Sequence, residues 1–365
     1  MRMMPAASVH IYDLVTGRHL TRLPYAKCSW SESLNKAGGL NVDVDMSGES
    51  NRIDLRALLR TWKVLVSYER DGTVIHAGPL TSLEWDASSR RLSLTCGGGL
   101  TLLTKRLVLS RRLRDSWRDG KILVDEKHPA GDLRLTVRGS RRDVIRGLVD
   151  ETMRWGKLPF TLPKTEGGNL TMHYDAWDLA TVASRIGELT DTEYRFPPSI
   201  SGGTLSFGIE AAQTLTNKTP HKWNAVVPDS RVMFDGVSAA GDDLTTQAWL
   251  TGGKDDDRTY MCRRTSEQLT GQGWPMMQSA DTSHTTVADL RELQEHAVQD
   301  LRVGTFPAET FKLRVGEEHD VRVGDQADIT LDDDYYGHAM LKVRVTDVSG
   351  GSDTDWLTIQ AKERD

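Results

Sequence analysis

Apolar and polar residues alternate with a period of two over residues 9–14, 40–45, 63–69, 74–85 and 92–96, which predicts half-buried β-strands. Turn chemistry falls between them. Asp71-Gly72 separates two alternating runs, a strong hairpin signal because the tightest hairpin turns need positive φ at both central residues. Residues 86–90 form a polar turn, and a short helix is predicted over 52–60 with Asn51 as its cap. The first hundred residues read as a small all-β domain, a barrel or sandwich.

From about Ser110 the pattern changes to helical spacing. Ser140 with Asp143 makes a capping box, followed by Val144, Leu148 and Trp155; a second helix is predicted from Asp175, with Asp178 as box partner and Leu179, Ala183, Ile186 and Leu189 as its stripe. Pro197-Pro198 and Gly202-Gly203 are expected to end that region. Strand patterns return at 231–234, 245–250, 259–263, 310–315, 326–331, 340–348 and 356–361. One helix interrupts them, capped by Thr286 with Asp289 and lined by Val287, Leu290, Ala297 and Leu301. The expected organisation is α+β and mostly β: a first β domain over 1–108, an α+β insert over 109–219, and a second β domain with one helix over 220–365.

A weak internal repeat supports this division. Residues 62–96 run strand, acidic turn, a strand opened by His76-Ala77 and closed at Asp86, polar turn, strand; residues 324–361 run the same course with His338-Ala339 and Asp347. Two related small β-barrels are expected to bracket the helical middle.

Composition narrows the function classes. The 365 residues carry 46 basic and 52 acidic side chains, a formal net charge of -6, which argues against the broad basic surface of sequence-independent nucleic-acid binding. Hydrophobic residues at 38% and charged ones at 27% fit a soluble globular chain; neither a signal-peptide core nor a bilayer-spanning run is present, so no membrane span and a cytoplasmic site of synthesis are expected. Cys28, Cys96 and Cys262 are too few and too far apart for a disulfide framework or a C-x-x-C site, and read as buried free thiols. Charge is uneven: residues 105–121 hold seven cations against Asp115 and Asp119, while 317–365 hold thirteen acids against five bases. Such a dipole suits head-to-tail contact between copies.

Catalytic signatures are missing. There is no P-loop, no H-E-x-x-H, no G-x-S-x-G and no zinc spacing, so neither cofactor nor metal is implied. Cys96-Gly97-Gly98-Gly99 reads as a sharp strand-to-helix turn that needs close backbone approach. Asp43, Asp45, Ser47, Gly48, Glu49 and Asp54 approach the spacing of a calcium loop, but a strand leads in and position twelve is Asp where a bidentate Glu is needed. His296 reads as a surface or cap histidine. The acidic loops at 254–257 and at Asp332, Asp333 and Asp334 read as solvated hairpin tips.

The order of elements is familiar all the same. Val9-His10-Ile11-Tyr12-Asp13 with Gly17, the Trp30 strand followed by Asn35 and Gly38, the hairpin end Ala77-Gly78-Pro79-Leu80, His173-Tyr174-Asp175, Glu193-Tyr194-Arg195-Phe196 and Val323-Gly324-Asp325-Gln326-Ala327 together resemble the tail hub, or minor tail, proteins of long non-contractile-tailed phages, especially those of actinobacterial hosts. The resemblance covers nearly the whole chain and rests on order.

What the resemblance implies is a structural protein of the virion, assembled in the host cytoplasm, at the distal end of the tail. Its partners would be further copies in a homotrimer, a distal tail ring protein, the tape-measure protein and tail-tip or fibre proteins, with DNA only in transit. A trimer in which each chain presents two similar barrels offers six units to a sixfold tube, adapts it to a threefold tip, and closes or gates the channel until ejection. Arg111, Arg112 and Arg114 in the basic stretch, and Asp332, Asp333, Asp334, Tyr335 and Tyr336 at the hairpin tip, are the expected contact residues. No appended peptidase, lysozyme-like or sugar-binding module is expected after the second barrel. The competing class is a cell-wall hydrolase or carbohydrate-binding tail protein, using exposed tryptophans and a carboxylate pair.

Overall fold

Strands form where alternation places one face in a core. The structure is a computed structural model that describes residues 7–46, 54–116, 133–175, 178–241, 244–255, 258–284, 287, 289–303 and 308–364. Its first strands are β1 (Ala7–Asp13), β2 (His19–Leu23), β3 (Tyr25–Ser33), β4 (Gly39–Val44), β5 (Val64–Arg70), β6 (Thr73–Asp86) and β7 (Arg91–Gly97). They pair antiparallel in the order β2-β1-β5-β6-β7-β4-β3. On β4 the alternation is literal, with Leu40, Val42 and Val44 buried. Asp71 at φ 48° and Gly72 at φ 77° make the β5–β6 turn that their identities predict. The helix predicted over 52–60 is a single turn, α1 (Leu55–Leu58), capped by Asp54, whose carboxylate accepts the Ala57 amide; Asn51 lies outside the described residues.

The Cys96–Gly99 run behaves as predicted. A Cβ on Gly97 would lie 2.0 Å from Thr101 Oγ1 and one on Gly98 would lie 1.9 Å from the Ala37 carbonyl, so side chains are excluded as β7 turns into a 3-10 helix, Gly99–Lys105.

The middle region holds α2 (Arg111–Ser116), β8 (Leu135–Gly139), α3 (Arg141–Trp155), β9 (Leu170–Tyr174), α4 (Val182–Gly187), β10 (Glu193–Arg195), β11 (Pro198–Ser201), β12 (Thr204–Phe207) and β13 (Glu210–Ala212). On α3 both halves of the Ser140/Asp143 capping box form. The second helix begins later than its pattern suggests: Leu179 sits at φ 49° and is 59% exposed, and Thr181 caps α4 at Ser184. Gly202-Gly203 does not end the region; at φ 57° and 76° it forms the turn of the β11–β12 hairpin. One hydrophobic cluster runs from Tyr12 and Leu65 through Leu103 to Val144, Ile186 and Phe207, so the first sheet and the middle region share a core.

The last strands of the same compact unit are β14 (His221–Asn224), β20 (Gln326–Asp333), β21 (Gly337–Gly351) and β22 (Trp356–Glu363), with β15 (Val232–Ala240) and β19 (Ala308–Gly316) carrying the chain out and back. The sheet order β15-β19-β22-β21-β3 joins them to the first set in one 13-stranded sheet, with β14 and β20 off the path. Two closed barrels were expected, and among the described residues no sheet closes on itself. The reason is topological: one edge of β3 is taken by β4 and the other by β21, leaving none for β2.

The second compact unit, Asp235–Lys312, is a small α+β body. It contains β16 (Gln247–Asp255), β17 (Arg258–Thr265), α5 (Glu267–Gly271), β18 (Gln278–Asp281) and α6 (Leu290–Val303). Ala248, Leu250 and Cys262 pack against Leu293 and Ala297 of α6. Leu293, absent from the predicted stripe, is buried, whereas Leu290 is 44% exposed; Thr286 lies outside the described residues, and Asp289 accepts the Arg291 amide at 2.7 Å. Among the described residues no helix is long and apolar enough to cross a membrane.

The internal repeat is present as two antiparallel meanders, β5–β6–β7 and β20–β21–β22. Each middle strand carries a bulge at the same place against the strand that follows it, and β6 has a second one at Ile75 against β5. Leu80 faces Cys96 and Ser82 faces Thr95, with Thr81 skipped; Val345 faces Ala361 and Asp347 faces Gln360, with Thr346 skipped. The two threonines do the same work, donating to the Thr95 carbonyl at 3.0 Å and to the Gln360 carbonyl at 3.2 Å. Just before each bulge a carbonyl accepts from a positive-φ residue: Leu80 from Trp62 at 2.8 Å, Val345 from Gly324 at 2.8 Å. This register corrects the predicted match. His76 is level with Leu341, not with His338, because Tyr68 faces His76 and the equivalent Ile329 faces Leu341 across a hairpin four residues longer.

Candidate functional site

Strand β3 is where the two repeats meet. Ser29–Ser33 pair with Gly351–Asp347 of β21, Ser33 Oγ donates to Asp347 Oδ1 at 2.5 Å, and the Leu34 amide donates to the Thr346 carbonyl at 2.9 Å. Gly350 permits the approach, since a Cβ there would lie 3.0 Å from Trp30 Nε1. Arg70, 9% exposed at the end of β5, donates to Tyr68 Oη at 2.8 Å and to the Gly351 and Thr354 carbonyls at 2.7 and 3.1 Å, and pairs with Glu317. A buried guanidinium with every face engaged fastens one repeat to the other.

Several of the residues that carry the resemblance are joints between distant segments. Asn35, at φ 62°, accepts the Tyr194 amide at 2.8 Å and donates to the Thr192 carbonyl at 3.2 Å, while Tyr194 Oη returns a bond to the Asn35 carbonyl at 2.9 Å. Glu193 is held by Arg344 through a two-pronged ion pair and by the Leu215 amide at 2.7 Å. Asp325 accepts the Arg322 amide at 3.0 Å and lies 3.2 Å from His221 Nε2; Asn217 exchanges two hydrogen bonds with the Gln326 backbone. A Cβ on Gly17 would lie 2.1 Å from the Leu205 carbonyl. Polar side chains used in this way orient the elements that they join.

The expected contact residues fall on two elements. Arg111, Arg112 and Arg114 lie on α2. The Arg111 amide donates to Glu151 Oε1 at 2.7 Å, its guanidinium lies 3.8 Å from the same carboxylate, and Arg114 donates to the Arg154 carbonyl. Residues 117–121 of the basic stretch lie outside the described residues. Asp332, Asp333, Asp334, Tyr335 and Tyr336 form the tip of the β20–β21 hairpin. Asp333 Oδ1 accepts the Tyr335 and Tyr336 amides at 2.8 and 2.7 Å, Tyr335 is 77% exposed, and the Tyr336 ring packs edge-on to Phe234. The calcium-like spacing does not assemble: Asp43 is held by Arg91 and Ser93, Asp54 caps α1, and Ser47, Gly48 and Glu49 lie outside the described residues. His296 stacks on His284 with ring centroids 4.2 Å apart.

A cavity of about 690 Å³ opens beside the junction, lined by Glu32, Arg70, His76, Arg195, Glu318 and Arg322 among others. His76 is buried with Nδ1 3.4 Å from Glu32. Among the described residues no group of three His, Cys, Asp or Glu side chains could hold a metal ion. The three cysteines are buried and free; burial pushes the Cys28 thiol up to about 12 and that of Cys96 higher still, so both stay protonated. On the β1–β2–β5 face, Tyr12 Oη donates to Glu69 at 2.9 Å, and burial together with that carboxylate raises the Tyr12 hydroxyl far above its usual range. His10, 2.9 Å from His19, is lowered by burial, then raised by Glu69 and lowered by His19 and Arg22.

Sequence reasoning placed the strands of the junction but not the ladder between β3 and β21, nor Arg70 and Arg344 that brace it. The available signal was Gly350-Gly351 inside a strand pattern, which marks a close backbone approach.

No protein-family model matches the chain, and no curated protein matches it. Three solved structures share its fold from end to end. The 43 kDa tail protein of prophage MuSo2 from Shewanella oneidensis aligns at TM-score 0.59 and 8% identity, over 98% of this chain and 98% of that one. The tail protein from Neisseria meningitidis MC58 aligns at 0.54 and 13%, over 98% and 97%; prophage tail protein gp18 from Listeria monocytogenes EGD-e aligns at 0.51 and 12%, over 98% and 94%. The mostly β architecture of this chain is therefore a fold that it shares with these three tail proteins, two of them from prophages.

Proposed function

We propose that the chain is a structural tail hub protein of a long non-contractile-tailed phage of an actinobacterial host, without catalytic activity of its own. Three copies form a ring at the distal tip, each contributing two barrel-like β units. The ring adapts the sixfold tube to a threefold tip and closes or gates the channel until DNA is ejected. The observation that carries this reading is the repeat itself: two meanders with the same bulge, the same threonine bond and the same preceding turn, fused edge to edge through β3 and β21. Likeness in fold to three tail proteins over at least 94% of each supports it. Three chains with two such units each supply six similar edges to a sixfold ring, which resolves the mismatch of symmetry.

Neighbours in this assembly are a distal tail ring protein, the tape-measure protein and tail-tip or fibre proteins, with DNA only in transit. The basic helix α2 with Arg111, Arg112 and Arg114, and the acidic-aromatic tip 332–336, are the proposed contact patches, one of each charge sign. Gold-labelled antibody against the chain, applied to intact particles, tests the placement. Label confined to the tail end away from the head is the expected result, and label along the tube or on the head would refute it.

A further inference from the structure

The two repeats are alike in register but unlike in what covers them. Counting from the bulge, Ser82, Leu83, Glu84, Trp85 and Asp86 of β6 are the counterparts of Asp347, Val348, Ser349, Gly350 and Gly351 of β21. On β21 all five pair with β3, and Asp347, Val348 and Ser349 pair with β22 as well. On β6 they are paired with β7, and the β5 ladder stops at Pro79, so among the described residues no strand lies on the second edge. Exposure follows the pairing: Val348 is 2% exposed, whereas Leu83 is 37% and Trp85 47% exposed. An open edge beside bare apolar side chains is a template for another strand.

The repeat also identifies the missing strand. In the first set β3 lies two places beyond β7, through β4; in the second set β15 lies two places beyond β22, through β19. Strand β15 is thus the counterpart of β3, it ends the sheet order, and most of its residues after Val232 are exposed or half-buried. Among the described residues β15 does not pair with β6 of its own chain, and a second copy can supply it.

We infer that β15 of a second copy of this chain adds antiparallel to the open edge of β6 at residues 82–86, reproducing between copies the ladder that β3 and β21 make within one. In-chain and between-copy joints then alternate round the ring. The inference rests on the trimeric hub reading for the number of copies, while the choice of edges comes from the repeat.

Engineered disulfides test it in the full chain. Glu84→Cys is combined in turn with Val237→Cys, Ser238→Cys and Ala239→Cys, with the single variants as controls; all four sites are exposed or half-buried, and the native cysteines are buried. Mild oxidation is expected to give a closed covalent trimer from at least one pair and none from any single. A trimer by light scattering that no pair cross-links overturns the β6–β15 joint and leaves the trimeric hub standing. Covalent ladders without a closed trimer keep the joint and overturn the threefold ring, and a monomer at all concentrations overturns both. As a second variant, Leu83→Lys with Trp85→Lys should weaken self-association by about tenfold or more with unchanged circular dichroism, and unaltered assembly counts against the edge.

Discussion

Removing Arg344 tests whether the joints described above hold the molecule together. The guanidinium makes four hydrogen bonds: two to the Glu193 carboxylate, one to the Leu215 carbonyl at 2.7 Å and one to the Gly324 carbonyl at 3.3 Å. The side chains are 20% and 16% exposed, so the pair lies nearer the buried limit than the surface one. An exposed pair contributes less than about 1 kcal/mol, and breaking a fully buried one costs about 3–5 kcal/mol. Arg344→Met keeps most of the apolar stem and strands Glu193 with a single amide donor; the expected loss is about 3 kcal/mol. Glu193→Gln, which can still accept the Leu215 amide, should cost about half as much, and the double variant should show a coupling of about 1–2 kcal/mol. Denaturant unfolding followed by tryptophan fluorescence reads all three, at about 0.05 M and 0.5 M salt, and the loss should persist at the higher value because a covered pair is poorly screened. A loss below about 1 kcal/mol with no coupling would show the pair to be an ordinary surface contact and refute the reasoning.

Three further outcomes follow from particular groups. The bulge threonines are equivalent, so Thr81→Val and Thr346→Val should each cost about 1 kcal/mol in denaturant unfolding; a cost at one site alone would argue against equivalent bulges. His10 is lowered by burial, so the unfolded chain, with its histidine near pH 6.5, takes up the proton first. Stability is then fully present above about 6.5 and declines as pH falls through the lower folded value; His10→Gln should flatten that part of the pH profile, and an unchanged slope would discount it. Arg111→Glu with Arg112→Glu, and separately deletion of residues 333–336, should weaken assembly; normal assembly of either variant at low and high salt removes that patch from the interface.

Much of the fold was legible where the signal is local. Period-two runs gave the main strands, Asp71-Gly72 gave its hairpin, and Ser140 with Asp143 gave the start of α3. The failures are of another kind. Strand β2 shows one buried residue in five and carries almost no alternation, and Leu179 looks like a helical position until Thr181 offers a better cap. The repeat was visible in the order of its parts but misaligned by His76-Ala77 and His338-Ala339, because the register is set by a threonine bulge and a longer hairpin that have no letter-level signature. Pairing of β3 with β21 joins segments about 320 positions apart. No local preference encodes such a contact, and with it went the expectation of two closed barrels. Charge and exposed aromatic residues in a sequence mark where partners could meet, but they are blind to unpaired strand edges.

Light scattering on the purified full chain tests the central claim most directly. A ring of three 40.7 kDa chains should give about 122 kDa, independent of dilution over a wide range, and appear in electron micrographs as a closed threefold ring with an axial channel. A stable mass of one or two chains, or open filaments, would contradict it.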